Sequence, residues 1–319
     1  YAPVQNAVIA GKKIYFWRKK MKKSKFKLFA ALLLAAAMTV LSLSGAAPVL
    51  ADETAAILAN AAKSPAVHTA PEGYDQNDFN KVRTFLEQTD SNGIRNGEKL
   101  NPDGYDPDDP ESWGALFVDE WGFEHEAYFD WEEVDGINRM FAINLTYIKD
   151  FAGTFDMSGL DALSTLDVDG GNFTTADLSN CYEMTHCYFA NSTLSSVNFF
   201  NCANVTELYL QDNELTEVLN LGDCTSLLFL DILMNNDLEE IDLSGCERII
   251  EHLDFSQTKV SDVNETEMFA LCEFSCESSG ITELDLRNCN YLNYVNCNFC
   301  DMDFLYLPEL PNNLAVNCM

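Results

Sequence analysis

Cys297 and Cys300 stand as C-x-x-C, a spacing that serves metal ligation or thiol–disulfide exchange where the thiols are accessible. No second pair follows at zinc-site spacing, and the local alternation turns both side chains inward, so neither chemistry is expected. The chain holds 11 Cys, an odd number, and their places follow a repeat rather than a disulfide framework. Cys181, Cys202, Cys224, Cys246 and Cys289 occupy one position of five units, and Cys276, Cys297 and Cys318 another. Each reads as a small apolar core side chain with a free thiol, which fits a reducing or anaerobic habitat. A bridge between stacked Cys stays open, because neighbouring strands lie about 4.8 Å apart, within disulfide reach.

His186 and His252 are potential ion ligands, but three repeat units separate them, about 14 Å at strand spacing. Asp90-Ser91-Asn92-Gly93 and Asp103-Gly104-Tyr105-Asp106-Pro107-Asp108 could hold calcium weakly, yet neither completes a calcium-binding loop. Residues 52–319 contain no H-E-x-x-H, no G-x-S-x-G and no phosphate-binding glycine loop. Neighbouring acids such as Asp108-Asp109 and Glu239-Glu240 abound and so single out no acid–base pair. No catalytic residue, no metal and no cofactor is expected, and the chain reads as non-enzymatic.

A repeat positions these residues. Variants of one phrase, L-x-L, a polar turn, a second apolar pair and Cys, recur with first apolar positions at Leu163, Met184, Val205, Leu227, Ile250, Leu271 and Leu292, in steps of 21, 21, 22, 23, 21 and 21 residues. Such regularity marks a solenoid. The segment from Leu145 to Leu160 matches the phrase too and carries the array back to about Ala142, so that about eight units fill 142–319. Positions 4 and 6 alternate with polar neighbours as a half-buried strand requires: Leu166 and Val168, Leu208 and Leu210, Leu230 and Ile232, Leu253 and Phe255 point inward. Phe173, Leu194, Leu215, Leu238, Val260 and Ile281 add a core row at position 11. A unit this short leaves no room for a long helix on its return, so the second pair, Ile241 with Leu243 or Leu284 with Leu286, is expected as another short strand. Between the members of that pair, Asp177, Asn198, Asn220, Asp242, Asn264 and Asp285 are expected to serve turns and neighbouring amides.

All 51 Asp and Glu lie beyond residue 51, with ten of the 19 Lys and Arg, a balance of −41. That field repels nucleic acid and anionic lipid headgroups and leaves solubility or a cationic partner as its use. Residues 21–51 join a basic start, an apolar centre and a small-residue exit, the build of an export signal cleaved near Ala51. No membrane span is expected to remain after cleavage, and a secreted or cell-surface monomer is expected. Residues 1–20 read as translated upstream sequence ahead of a start at Met21. The chain stops at Met319 inside a further repeat start, so a longer natural protein is expected.

Residues 52–75 read as a linker and 76–141 as an N-terminal cap. Phe79, Val82, Phe85 and Leu86 recur at helical spacing behind Asp75 or Asn77 as caps, and a loop is expected from Asp90 to Ser112. The aromatics Trp113, Phe117, Trp121, Phe123, Tyr128, Phe129 and Trp131 would then cover the open end of the solenoid core. A sugar platform is the rival use of those rings.

The repeat phrase resembles that of the leucine-rich repeat family, and specifically of its short-unit bacterial surface proteins, internalin-like in a broad sense. The run from Trp131 to Leu145, then Asp156-Met157-Ser158-Gly159-Leu160, is similar to the way the repeats begin in those proteins, and the resemblance covers about 130–319. Asn213 and Asn235 match the family's Asn at position 9, whereas Gly171, Ser192, Thr258, Ser279 and Cys300 depart from it. The resemblance implies a leucine-rich repeat horseshoe, mostly parallel β with little helix on its convex side, behind a small α+β cap. It also implies a protein or glycan ligand on the concave strand face at positions 3, 5, 7 and 8. Here those are His186, Glu207, Phe229, His252, Glu273 and Tyr294 beside Thr165 in one row, and Tyr188, Tyr209, Asp231, Asp254 and Asn296 beside Asp167 and Ser275 in the next. Gln211, Leu233, Met234 and Phe299 flank them, with Ser278. Aromatic side chains where a strand faces solvent point to recognition. The alternatives are a targeting module of a larger extracellular enzyme whose catalytic domain lies beyond Met319, and a structural spacer of the cell envelope.

Overall fold

The computed structural model describes residues 7–9, 12–14 and 68–319, except 119–123, 147, 149, 265, 266 and 310–313. The expected export signal, 21–51, and most of the segments 1–20 and 52–75 lie outside the described residues. Ala7–Ile9 and Lys12–Ile14 pair antiparallel within a separate unit, 1–67. Among the described residues no helix is long and apolar enough to cross a membrane.

In 68–319 the alternating phrase becomes one sheet of eleven strands laid down in chain order. Its first three strands, β1 (Ala115–Val118), β2 (Glu124–Val134) and β3 (Ile137–Asn144), pair antiparallel. Onto β3 stack β4 (Thr165–Asp169), β5 (His186–Ala190), β6 (Glu207–Tyr209), β7 (Phe229–Asp231), β8 (His252–Asp254), β9 (Glu273–Ser275), β10 (Tyr294–Asn296) and β11 (Ala315–Asn317), all parallel. The return of each turn is a short extended segment or none. Phe155–Asp156, Thr175–Asp177 and Ser196–Asn198 make a three-stranded patch, and Thr216–Asn220 with Asp237–Asp242 and Glu283–Asp285 with Phe304–Tyr306 make two-stranded ones. The chain is a parallel β-solenoid with little helix, with a continuous sheet face and an interrupted face.

Between the two faces, the expected inward residues from Leu166 to Phe255 are fully buried, as are the position-11 row and Cys181, Cys187, Cys202, Cys224, Cys246 and Cys289. The thiols of Cys181 and Cys202 donate to carbonyl oxygens of the preceding turn, at Met157 (3.4 Å) and Leu178 (3.1 Å). Burial pushes the Cys202 thiol up to about 11 and that of Cys246 to about 12, so both stay protonated and unreactive.

Two polar devices turn the chain. On the interrupted face, Asp177, Asn198, Asn220 and Asp242 each accept the amide N–H two residues on, at 3.0–3.1 Å. At position 8, just past each strand of the continuous face, the residue is left-handed in every unit from Gly170 to Phe299: Asn191, Asp212, Met234, Gln257 and Ser278 lie between. The N–H of each still donates to the next turn, as Met234 does to Ser256 (3.0 Å). Asn213 and Asn235 then close the turn from inside. Asn235 donates to the Leu210 and Ile232 carbonyls (3.0 and 2.8 Å) and accepts from Leu215 N (3.2 Å). Where the Asn is missing, Ser192, Thr258 and Cys300 each bond a carbonyl with the hydroxyl or thiol, so the ladder is thinned rather than broken.

At the N-terminal end, helix α1 (Gln76–Leu86) is capped by Asp75, whose carboxylate accepts from Asn77 N and Asp78 N. Its apolar stripe lies on the first turns of the core: Phe85 meets Phe151, Phe155 and Phe173 at ring distances of 5.4, 5.4 and 5.9 Å, and Phe79 meets Trp113 at 5.3 Å. Asp78, buried on the same helix, binds Arg139 of β3 (2.8 Å) and Met140 N (3.1 Å). Arg139 also pairs with Asp161, one turn further. The stretch expected as a loop contains helix α2 (Asn96–Leu100) and a 3-10 turn, Pro110–Ser112. Buried Asn96 fixes α2 by bonding Phe85 O, Ala152 O and Ala152 N. Trp121 and Phe123 lie outside the described residues.

Candidate binding face

Strand register decides which side chains meet on the continuous face. Thr165, His186, Glu207, Phe229, His252, Glu273 and Tyr294 are successive register partners in one outward row. Asp167, Tyr188, Tyr209, Asp231, Asp254, Ser275 and Asn296 make the second, in which Ser275 is buried. These are the two rows the repeat spacing gives.

The centre of the face is a run of rings. His186 and Tyr188 approach Tyr209 at 5.5 and 6.0 Å, Tyr209 approaches Phe229 at 4.8 Å, and Phe229 lies parallel to His252 at 4.0 Å. All five rings are half-buried, each shielded by its neighbours yet open to solvent on one side. Carboxylates border them. His186 stands between Asp167 (3.4 Å) and Glu207 (3.3 Å), and His252 meets Glu273 at 3.0 Å. Burial raises the pKa of Asp167 against the pull of His186. It raises that of Asp231 too, helped by the charge of Asp254 on the next strand. Burial and then Glu207, whose carboxylate accepts the Tyr209 hydroxyl at 3.4 Å, hold the Tyr209 phenol protonated.

The remaining expected residues lie apart from that centre. Tyr294 and Asn296 sit beyond Glu273 and bond Asn317 and Glu277 (3.3 and 2.8 Å). Gln211, Leu233, Met234 and Phe299 follow the strand ends. Leu233 is half-buried, and Met234 and Phe299, in the left-handed turn, are 41% and 69% exposed. Gln211 Oε1 is buried with no donor among the described residues.

Two surface features were not foreseen. On the interrupted face Phe304 and Tyr306 stack (6.2 Å) with Arg287 over Tyr306 (4.9 Å); the alternation Phe304-Leu305-Tyr306 was the available signal. In the N-terminal part a cavity of about 310 Å³ is lined by Tyr74, Glu111, Tyr128 and Trp131 among others. The candidate calcium loops spend carboxylate oxygens internally: Asp90 accepts from Asn92 N and Ile94 N and pairs with Lys99, and Asp106 accepts from Asp108 N.

Among the solved structures that match part of the chain are two from Listeria monocytogenes. One is an internalin (inlF) from Listeria monocytogenes, 15% identical, covering 57% of this chain and 62% of that one, with a TM-score of 0.34. The other is the functional domain of InlJ from Listeria monocytogenes, which includes a cysteine ladder; it is 15% identical, covers 53% of each chain and has a TM-score of 0.29. The match spans less than two thirds of either neighbour. No family model and no curated protein matches the chain. The fold stated above rests on strand register.

Proposed function

We propose that this chain is an exported, non-enzymatic binding protein that holds a protein ligand against the continuous sheet face. The observation that carries the reading is the run Tyr188, Tyr209, Phe229 and His252, four rings on four neighbouring strands with their outer sides in solvent. Aromatic side chains on a rigid sheet supply contact area at little cost in side-chain freedom, and such clusters dominate measured interface energies. The −41 balance beyond residue 51 keeps such a face soluble.

The test is capture of cell-surface and secreted proteins on the immobilised full chain. The variant Y188A/Y209A/F229A is expected to lose the captured partner while keeping its circular dichroism spectrum. A matched variant of the other surface, F200A/V218A/Y291A, is expected to retain it. Equal capture by both variants would remove the sheet face from the assignment.

A further inference from the structure

We propose, on the reading that the continuous face is the docking surface, that its partner is a basic polypeptide segment whose arginine is received by Asp231 and Asp254 beside the rings of Tyr209 and Phe229. The strands from β4 to β10 contain no Lys or Arg, so the face supplies no strong cation of its own. Its other strand carboxylates are answered locally: Asp167 and Glu207 by His186, Glu273 by His252, and Asp169 by the side-chain amide of Asn191 (2.7 Å). Asp231 and Asp254 form no such pair, and His252, committed to Glu273, only partly offsets the charge at Asp231. Each spends one oxygen on its own turn, accepting Leu233 N (3.1 Å) and Ser256 N (2.8 Å), and neither has an ion-pair partner among the described residues.

These two carboxylates are register partners on adjacent strands, half-buried and of like charge, an arrangement that costs stability unless a cation completes it. Tyr209 is the register partner of Asp231 on the other side, and Phe229 precedes Asp231 by two residues on the same strand. A guanidinium is planar, bonds two carboxylate oxygens at once and stacks on an aromatic face, whereas an ammonium does only part of this. Rings, paired acids and the absence of a resident cation converge on one occupant, and charge complementarity selects it over an apolar or acidic segment.

The experiment titrates the full chain against a fluorescein-labelled peptide of alternating Gly and Arg, and against its twin with citrulline at every Arg, by fluorescence anisotropy at physiological salt. The expected result is at least tenfold tighter binding of the Arg peptide. D231N/D254N, which keeps both turn hydrogen bonds, should bring it to the citrulline level. E239Q/E240Q, the same change in charge on the interrupted face, should stay within twofold of the parent. Equal losses in the two double variants would overturn the proposal by reducing it to bulk charge, and equal binding of the two peptides would overturn it by showing that the guanidinium charge contributes nothing. Unchanged binding by D231N/D254N, with capture still lost in Y188A/Y209A/F229A, would overturn the arginine anchor and leave the docking face standing. Retention in both variants would overturn both.

Discussion

The rings of Phe229 and His252 lie 4.0 Å apart and within 4° of parallel on neighbouring strands, the closest contact of the aromatic run. Tyr209 approaches Phe229 at 4.8 Å from the other side, so Phe229 is the shared member of two ring pairs. Replacing Phe229 by Leu keeps apolar area and removes the stacking. A loss of about 0.5–1.5 kcal/mol is expected from the ring pairs, read as a lower guanidinium midpoint with unchanged slope.

Asn235, 0% exposed, satisfies two carbonyls and one amide from three different residues. Asn235→Ala takes the side-chain partner from Leu215 N and Ile232 O, while Leu210 O keeps its bond from Asn213 (2.9 Å), and is expected to cost about 2–4 kcal/mol, since each unmet buried polar group costs about 1–3. Asn235→Thr should cost less than the Ala variant, because Thr258 at the equivalent place bonds Phe255 O at 2.8 Å. Equilibrium unfolding of the three proteins checks the order.

Arg139 holds buried Asp78 and exposed Asp161 together and ties α1 to β3 and the turn beyond it. Arg139→Gln leaves the Asp78 carboxylate without its counter-charge, for which about 3–5 kcal/mol is the expected loss. The double variant R139Q/D78N, whose introduced amide oxygen can still accept Met140 N, should recover part of it. No recovery would mean that Arg139 acts through packing alone.

Lys81 meets Asp156 at 2.6 Å and so joins α1 to the first short strand of the interrupted face. Burial pushes the Asp156 pKa up, but hydrogen bonds from Lys81 and from Ser158 outweigh it and leave the value below the usual one. A carboxyl lowered on folding stabilises above its unfolded pKa and loses that contribution as pH falls through the folded value. Lys81→Met is therefore expected to be less stable than the parent at pH 7, with the gap closing as pH falls below the usual aspartate range. Unfolding at pH 7, 5 and 3 measures the gap.

Phe299 occupies a left-handed turn, φ 57°, where other units place Gly170, Asn191 or Asp212. A bulky side chain there costs about 1 kcal/mol. Phe299→Asn should raise the melting temperature and Phe299→Val lower it, despite the loss of an exposed ring in both.

The outward rows were legible in the sequence because an alternation of two inside a period near 21 fixes both the facing of each side chain and its partners. The inner rows and the Asp and Asn turn row followed for the same reason. The stacking of Phe229 on His252 was not legible: the row places the residues side by side, but ring orientation depends on packing around each side chain. The left-handed position 8 was only partly legible, because Gly170, Asn191 and Asp212 favour that backbone whereas Met234, Gln257, Ser278 and Phe299 do not. Helix α2 was hidden among Asn and Gly, and its anchor, Asn96, bonds Ala152 in a distant segment. Asp109-Pro110, by contrast, is a helix-start signal that the sequence carried openly.

The steps of 21 to 23 residues leave the register of the continuous face unbroken, so its teeth recur at one pitch, about 4.8 Å. A ligand laid across the strands meets that comb as a vernier. An extended chain, whose same-side residues repeat every ~6.8 Å, slips about 2 Å per tooth and is nearly half a step out after one. A helix, with its 5.4 Å turn, slips only about 0.6 Å per tooth and reaches that ~2 Å offset no sooner than the fourth strand. Four strands, β5 to β8, carry the ring run from His186 to His252.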